Sequence, residues 1–264
     1  MRENRIRTLW SEGRAAICGW LAIPSTFTAE LMAQTGFDVL TVDMQHGNMG
    51  YETAVAMMQA ISTTDTVPFV RVPWNDPAHI MRMLDGGSYG IVCPMISNRE
   101  DAEKFIGACH YPPDGYRSFG PRRAMLYAGN DYQQNANRTI ITMAMIETAE
   151  AMTKLDEIMS TPGLDSIYVG PADLSISMTG KPDFDYQSEE KLAWLDEIVA
   201  AAKRNNIAAG IHTGSPEFAQ KMIDKGYLLT TIGGDGGFLE KEARRVTTAI
   251  RQTAAVDRKA AGPY

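Results

Sequence analysis

Residues 37–62 read FDVLTVDMQHGNMGYETAVAMMQAIS, and their reading decides the fold. The first seven are mostly apolar or β-branched and close on an acid, Asp43. So short and nearly continuous an apolar run marks a strand buried on both faces, as in a parallel sheet. The glycine-punctuated MQHGNMG (44–50) is a turn. YETAVAMMQAIS then spaces its apolar residues for one face of a helix. Strand, turn and helix make one βα unit.

The unit recurs. AAICGWLAI (15–23), VPFVRVPW (67–74), GIVCPMI (90–96), TIITMAMIE (139–147), SIYVGPAD (166–173), IAAGIHTG (207–214) and LLTTIGGD (228–235) bring the strand runs to eight. Helical patterns such as TAELMAQTG, PAHIMRMLDGG and PEFAQKMIDKG lie between them, and glycine often closes the pattern. Eight units in 264 residues predict a single (β/α)8 barrel domain over residues 1–264. An open doubly wound sheet is the competitor. No G-x-G-x-x-G or G-x-x-x-x-G-K-[ST] opens a helix, so a nucleotide site of either kind has no support. The stretch 107–138 reads as one long irregular loop, either a lid or a surface loop with solvated charges. GGDGG (233–237) is either an anion cradle of backbone N–H groups or a tight turn.

Composition excludes other classes. With 44% hydrophobic and 22% charged residues the chain is globular, and its net charge of −7 disfavours a nucleic-acid partner. No apolar run approaches the ~20 residues that span a bilayer, and no secretory h-region is visible. Three scattered cysteines without C-x-x-C fit a reduced, cytoplasmic setting.

The chemistry of a barrel sits at the C-terminal ends of its strands. Six apolar runs here end in or near an ionisable group: Asp43, Arg71, Glu147, Asp173, His212 and Asp235. Such endings are costly unless the group is paired or faces a site. Asp43 either caps the next helix while His46 packs as a satisfied polar residue, or the two form a proton-transfer dyad. Glu147 and Asp173 come from consecutive strands, whose spacing is ~4.8 Å. A divalent cation between them would relieve their repulsion; alternatively Glu147 pairs with an arginine and Asp173 caps a helix. Arg71 either offers a fixed cation to a substrate oxygen or pairs with Asp43 or Asp85. His212 could touch the site but has no evident partner.

The strand-tip segments FDVLTVDMQHG, VRVPWNDPAHIMRMLDGGSYGIVCPM, YPPDGYRSFGP, MIETAEAM and GLDSIYVGPADLS resemble the HpcH/HpaI aldolases, from about residue 15 to 240. The resemblance implies a (β/α)8 barrel, a trimer or hexamer with the last helix exchanged between subunits, and class II pyruvate aldolase chemistry. It implies Glu147 and Asp173 as ligands of Mg²⁺ or Mn²⁺, with Co²⁺ a third option. It implies Asp43 with His46 as the acid–base dyad and Asp85 as an acid supporting it across a subunit edge. Arg71, Ala172, Met145 and Trp20 become substrate-binding positions. The partners are then a small 2-oxo acid and an aldehyde. The chain departs from the family at Gln45, often Glu, at Met145, often Gln, and in RSFGPRRAMLYAG. Those departures leave open a decarboxylase of 2-oxo acids such as oxaloacetate, or a C–C bond-forming cyclase. A CoA-ester lyase and a non-catalytic metabolite-binding barrel are further alternatives. No strand run contains a lysine, which argues against Schiff-base chemistry.

Overall fold

In a computed structural model, which describes the backbone of residues 1–260 and the side chains of residues 1–251, eight parallel strands close into a barrel in sequence order. They are β1 (Ala16–Leu21), β2 (Val39–Asp43), β3 (Val67–Arg71), β4 (Gly90–Cys93), β5 (Ile141–Ile146), β6 (Ser166–Val169), β7 (Ala208–Thr213) and β8 (Leu229–Gly234). Every predicted run holds one strand, although β6 stops at Val169 and β8 at Gly234, so that Asp173 and Asp235 fall in the helices that follow; the open sheet is excluded because β8 pairs with β1. Helix α1 (Arg5–Ser11) precedes the barrel; α2 (Thr26–Ala33), α3 (Tyr51–Ile61), α4 (Pro77–Asp85) and α5 (Arg99–Cys109) follow the first four strands. After α5 come α6 (Arg122–Ala128) and α7 (Tyr132–Thr139), then α8 (Ala149–Thr153) and α9 (Leu155–Met159). The rest are α10 (Pro171–Thr179), α11 (Glu189–Arg204), α12 (Pro216–Lys225) and α13 (Asp235–Ala260).

Local chemistry sets the helix starts. Asp76 caps α4 at Ala78 N, and Pro77 occupies its first turn, where a missing N–H costs nothing. Ser215 and Pro216 repeat the device for α12. Strand alternation then makes two cores. Cys18, Phe69, Val92, Met143, Tyr168 and Leu229 pack inside the barrel. Leu40, Val70, Ile91, Ala144, Ile167 and Ile211 face the surrounding helices.

The segment 107–138 corrects its expectation. Most of it is helical, in α5, α6 and α7, and it connects a helix to β5, which places it at the barrel end opposite the strand tips. Ala124, Ala128, Tyr132 and Ala136 are buried there with Tyr89 and α1, so these apolar positions drive the folding. Arg117 is buried rather than solvated: it donates to Asp85 at 2.7 Å and to the Tyr132 hydroxyl at 3.0 Å. Within one chain, therefore, this segment is not a lid over the strand tips.

All three cysteines are free and buried. Among the described residues no helix is long and apolar enough to cross a membrane.

Candidate active site

The register of β2 on β3 sets Asp43 opposite Arg71 at the strand tips. Their side chains close a two-point ion pair, with Arg71 Nε donating to Asp43 Oδ1 at 2.8 Å and Nη2 to Oδ2 at 2.6 Å. Trp20 Nε1 donates to the same carboxylate at 3.0 Å, as do the backbone N–H groups of Gln45 (3.0 Å) and His46 (3.2 Å). Burial alone would raise the Asp43 pKa, but Arg71, Trp20 and the His46 amide outweigh it and hold the carboxyl below its ordinary value. Of the two readings of Arg71, pairing with Asp43 is thus present, and it uses two of the five guanidinium N–H donors.

Asp43 bonds the backbone of His46, not its ring, so the acid shapes the turn. His46 is exposed rather than packed, and its side chain stands at the wall of a cavity of about 320 Å³. Gly47 makes this possible, because a Cβ there would lie 2.2 Å from the Asp43 carbonyl oxygen. Arg71, Met145, Ala172, Asp173 and His212 line the same cavity. Trp20 stacks on Tyr168, which also lines it, at a centroid distance of 5.6 Å.

Glu147 follows β5 and is 3% exposed. Its Oε1 accepts from Met95 N at 2.7 Å. Met95 has φ +58°, a left-handed backbone that costs a non-glycine residue of order 1–3 kcal/mol. The strain is spent on aiming this N–H at the carboxylate. Gly170 leaves room for the other oxygen, since a Cβ would lie 2.5 Å from Glu147 Oε2. Burial, with the charge of Asp173 added, pushes the Glu147 pKa up to about 7. The positive charge that acts on it is Arg71, already committed to Asp43. A buried acid so poorly compensated beside a second acid is a donor set that fits a divalent cation. Among the described residues no third His, Cys, Asp or Glu joins it, so water and substrate oxygens would complete the shell. Asp173 does not cap a helix: it lies within the first turn of α10, whose N-cap is Gly170, and no side chain caps that helix.

Asp85, at the C-terminus of α4, is not brought to this cavity; it pairs with Arg117 at the other end of the barrel. Asp235 also turns away from ligand binding: its carboxylate accepts Ala22 N at 2.9 Å and Ile23 N at 3.1 Å, tying β8 to the end of β1. Gly236 and Gly237 belong to the first turn of α13. Met95, Tyr168, Gly170 and Phe184 were not predicted. Tyr168 was open to discovery as an inward residue of β6, and Gly170 as the glycine of VGPAD; Met95 carried no signal.

A closed parallel barrel with two imidazoles, a guanidinium and the acid Asp173 lining one strand-tip cavity, and Glu147 buried against Gly170 of its wall, has the build of a (β/α)8 enzyme. Residues 17–241 match the HpcH/HpaI aldolase/citrate lyase family model, and the chain belongs to that family. It is 38% identical over 248 residues to a hydroxypyruvate/pyruvate aldolase of Rhizorhabdus wittichii, covering 94% of this chain and 99% of the relative. It is 34% identical over 246 residues to an Escherichia coli 4-hydroxy-2-oxo-heptane-1,7-dioate aldolase, covering 91% and 92%. A crystal structure of a family protein from Burkholderia cenocepacia superposes with a TM-score of 0.88 at 28% identity, covering 95% of this chain and all of that one (100%).

Proposed function

We propose that the protein is a divalent-metal-dependent pyruvate aldolase. It cleaves 4-hydroxy-2-oxo acids to pyruvate and an aldehyde, and runs the reverse addition. The observation that carries the reading is the undercompensated buried carboxylate of Glu147, which lies against Gly170 in the wall of the cavity that Asp173, Arg71 and His46 line. Glu147 and Asp173 hold the cation, Mg²⁺ or Mn²⁺ with Co²⁺ as a further candidate. When bound, it supplies Lewis-acid polarisation of the 2-oxo group.

The chain's own residues do the rest. The uncapped start of α10 offers the Ala172 and Asp173 N–H groups to the substrate carboxylate. His46 takes the proton of the C4 hydroxyl, directly or through water, as the C3–C4 bond breaks. Those electrons pass toward the 2-oxo oxygen, and the free Arg71 donors hold the charge that develops there. Reprotonation at C3 gives pyruvate. Asp43 fixes Arg71 and the His46 turn. Met145 is a wall of the substrate site, and Trp20 backs that wall by stacking on Tyr168.

A screen of pyruvate and hydroxypyruvate against varied aldehydes, with metal supplied, tests this directly. Product is expected only while the cation is present; aldol turnover that survives EDTA overturns the reading. CO₂ evolved from oxaloacetate without aldol product would assign the decarboxylase instead. His46→Ala is expected to lower kcat by about 10²- to 10⁴-fold, with the metal titration unchanged. An undiminished kcat would remove His46 from the mechanism.

We also place the protein in the cytoplasm as one barrel domain and as a homo-oligomer, trimer or hexamer. Helix α13 supports the assembly: Leu239, Val246 and Ile250 are 65%, 47% and 69% exposed, a face that suits exchange onto a neighbouring subunit. Asp85 would support a dyad only in such a neighbour.

A further inference from the structure

His212 is the one strand-tip residue that this mechanism leaves without a task. It sits on β7 opposite Thr231 of β8 and faces into the barrel. Its ring meets Trp20 edge-on at a centroid distance of 5.3 Å. Its Nδ1 lies 3.1 Å from the Tyr168 hydroxyl. That hydroxyl donates to Thr231 Oγ1 at 2.7 Å. The Thr231 hydroxyl lies against the Cys18 sulfur, and Cys18 Sγ donates to the Gly19 carbonyl at 3.5 Å.

Proton counting gives this chain a direction. A phenol has one proton, and here it goes to Thr231, so the phenol oxygen accepts from His212 Nδ1–H. A neutral imidazole with its proton on Nδ1 has its lone pair on Nε2. Neutrality is secured by burial, aided by the Arg71 charge, which pushes the pKa down to about 4. Nε2 has no hydrogen-bond partner among the described residues, and it is not sealed from solvent. His212 shares the cavity with the apolar side chains of Met145, Phe184 and Ala172. The cavity therefore presents a fixed acceptor beside an apolar wall.

We propose that His212 is a specificity-determining residue whose Nε2 accepts a hydrogen bond from a hydroxyl group of the substrate. The site then favours a hydroxylated 2-oxo acid or a hydroxylated aldehyde over its deoxy counterpart. Tyr168 acts as a positioning residue, holding the imidazole in the tautomer that accepts. A deoxy substrate leaves the acceptor desolvated and unpaired, which is how a polar group in a cavity discriminates. The inference rests on the aldolase reading and names the substrate class of the same site.

The test compares kcat/KM, with Mn²⁺ supplied, for three aldol additions: pyruvate to propanal, hydroxypyruvate to propanal, and pyruvate to glycolaldehyde. Two ratios follow, hydroxypyruvate over pyruvate and glycolaldehyde over propanal, and any loss common to all reactions cancels. His212→Phe is expected to lower one ratio about tenfold, the worth of one well-made hydrogen bond. The ratio that falls identifies whether the acid or the aldehyde supplies the hydroxyl. His212→Gln keeps an acceptor oxygen and is expected to restore most of that ratio. Tyr168→Phe lowers it in part, while ¹⁵N spectra of His212 change from the Nδ1–H form to a mixture of tautomers. Both ratios unchanged in His212→Phe would overturn the proposal and leave the aldolase reading standing. Wild-type protein that forms no aldol in any reaction would overturn both, and would do so before any variant is compared.

Discussion

Glu147→Gln is expected to silence aldol cleavage and, at the same time, to stabilise the metal-free protein at alkaline pH. The two effects share one cause. Glu147 is buried, stands beside Asp173, and finds its opposing guanidinium already bonded to Asp43. Its folded pKa of about 7 therefore stands above the ordinary 4.5. The stability it contributes is fully present below about pH 4.5 and is lost as pH rises through about 7. Above that range the native state carries a buried charge costing about 3 kcal/mol relative to the protonated form. Glutamine keeps an oxygen for the Met95 N–H and removes the charge. Melting of metal-free wild type and variant is thus expected to coincide near pH 4.5 and to diverge by pH 8.5, with the variant higher. Mn²⁺ should raise the melting temperature of the wild type far more than that of the variant. Activity is expected to fall by about 10³-fold or more, the upper scale for removing a single group that stabilises developing charge. A variant that retains cleavage, or melting curves that stay parallel across the pH range, would contradict this account.

The second large effect is at Arg71. Arg71→Met removes the guanidinium assigned to the developing negative charge, and kcat/KM is expected to fall by about 10²- to 10³-fold. It also strands Asp43, which is 2% exposed and bonded at both oxygens by Arg71. Breaking one side of a buried pair costs about 3–5 kcal/mol, chiefly through the charge left behind. The double variant Arg71→Met/Asp43→Asn separates the two roles. It should recover much of the lost stability, because the remaining amide is neutral, and none of the lost activity. Recovery of activity in the double variant would mean that Arg71 serves only to neutralise Asp43.

The limits of reading the sequence are clear at these same residues. Asp43, Arg71, Glu147 and Asp173 were found because each closes an apolar run, a pattern visible within one strand. The bond between Asp43 and Arg71 was only one of two open readings, since 28 residues separate them and only the β2–β3 register sets them face to face. Met95 lies 52 residues from Glu147, and its unusual backbone has no signature in GIVCPMI. His212 had no evident partner because its partners, Tyr168 and Trp20, stand on other strands. The stretch 107–138 reads as a loop in the sequence because its buried alanines and tyrosines find their partners only at the far end of the closed barrel.

By itself, then, the sequence determined eight βα units, the parallel sense of their strands, and which ionisable side chains stand at or just beyond the strand ends. Those properties follow from hydrophobic periodicity and chain connectivity, which act over a dozen residues at a time. The tertiary structure alone decided who meets whom: Asp43 with Arg71, Glu147 with the Met95 N–H, His212 with Tyr168, and Asp85 with Arg117 away from the cavity. Such meetings depend on strand register and barrel closure, which bring distant residues within hydrogen-bond reach and leave no trace in the spacing of either partner.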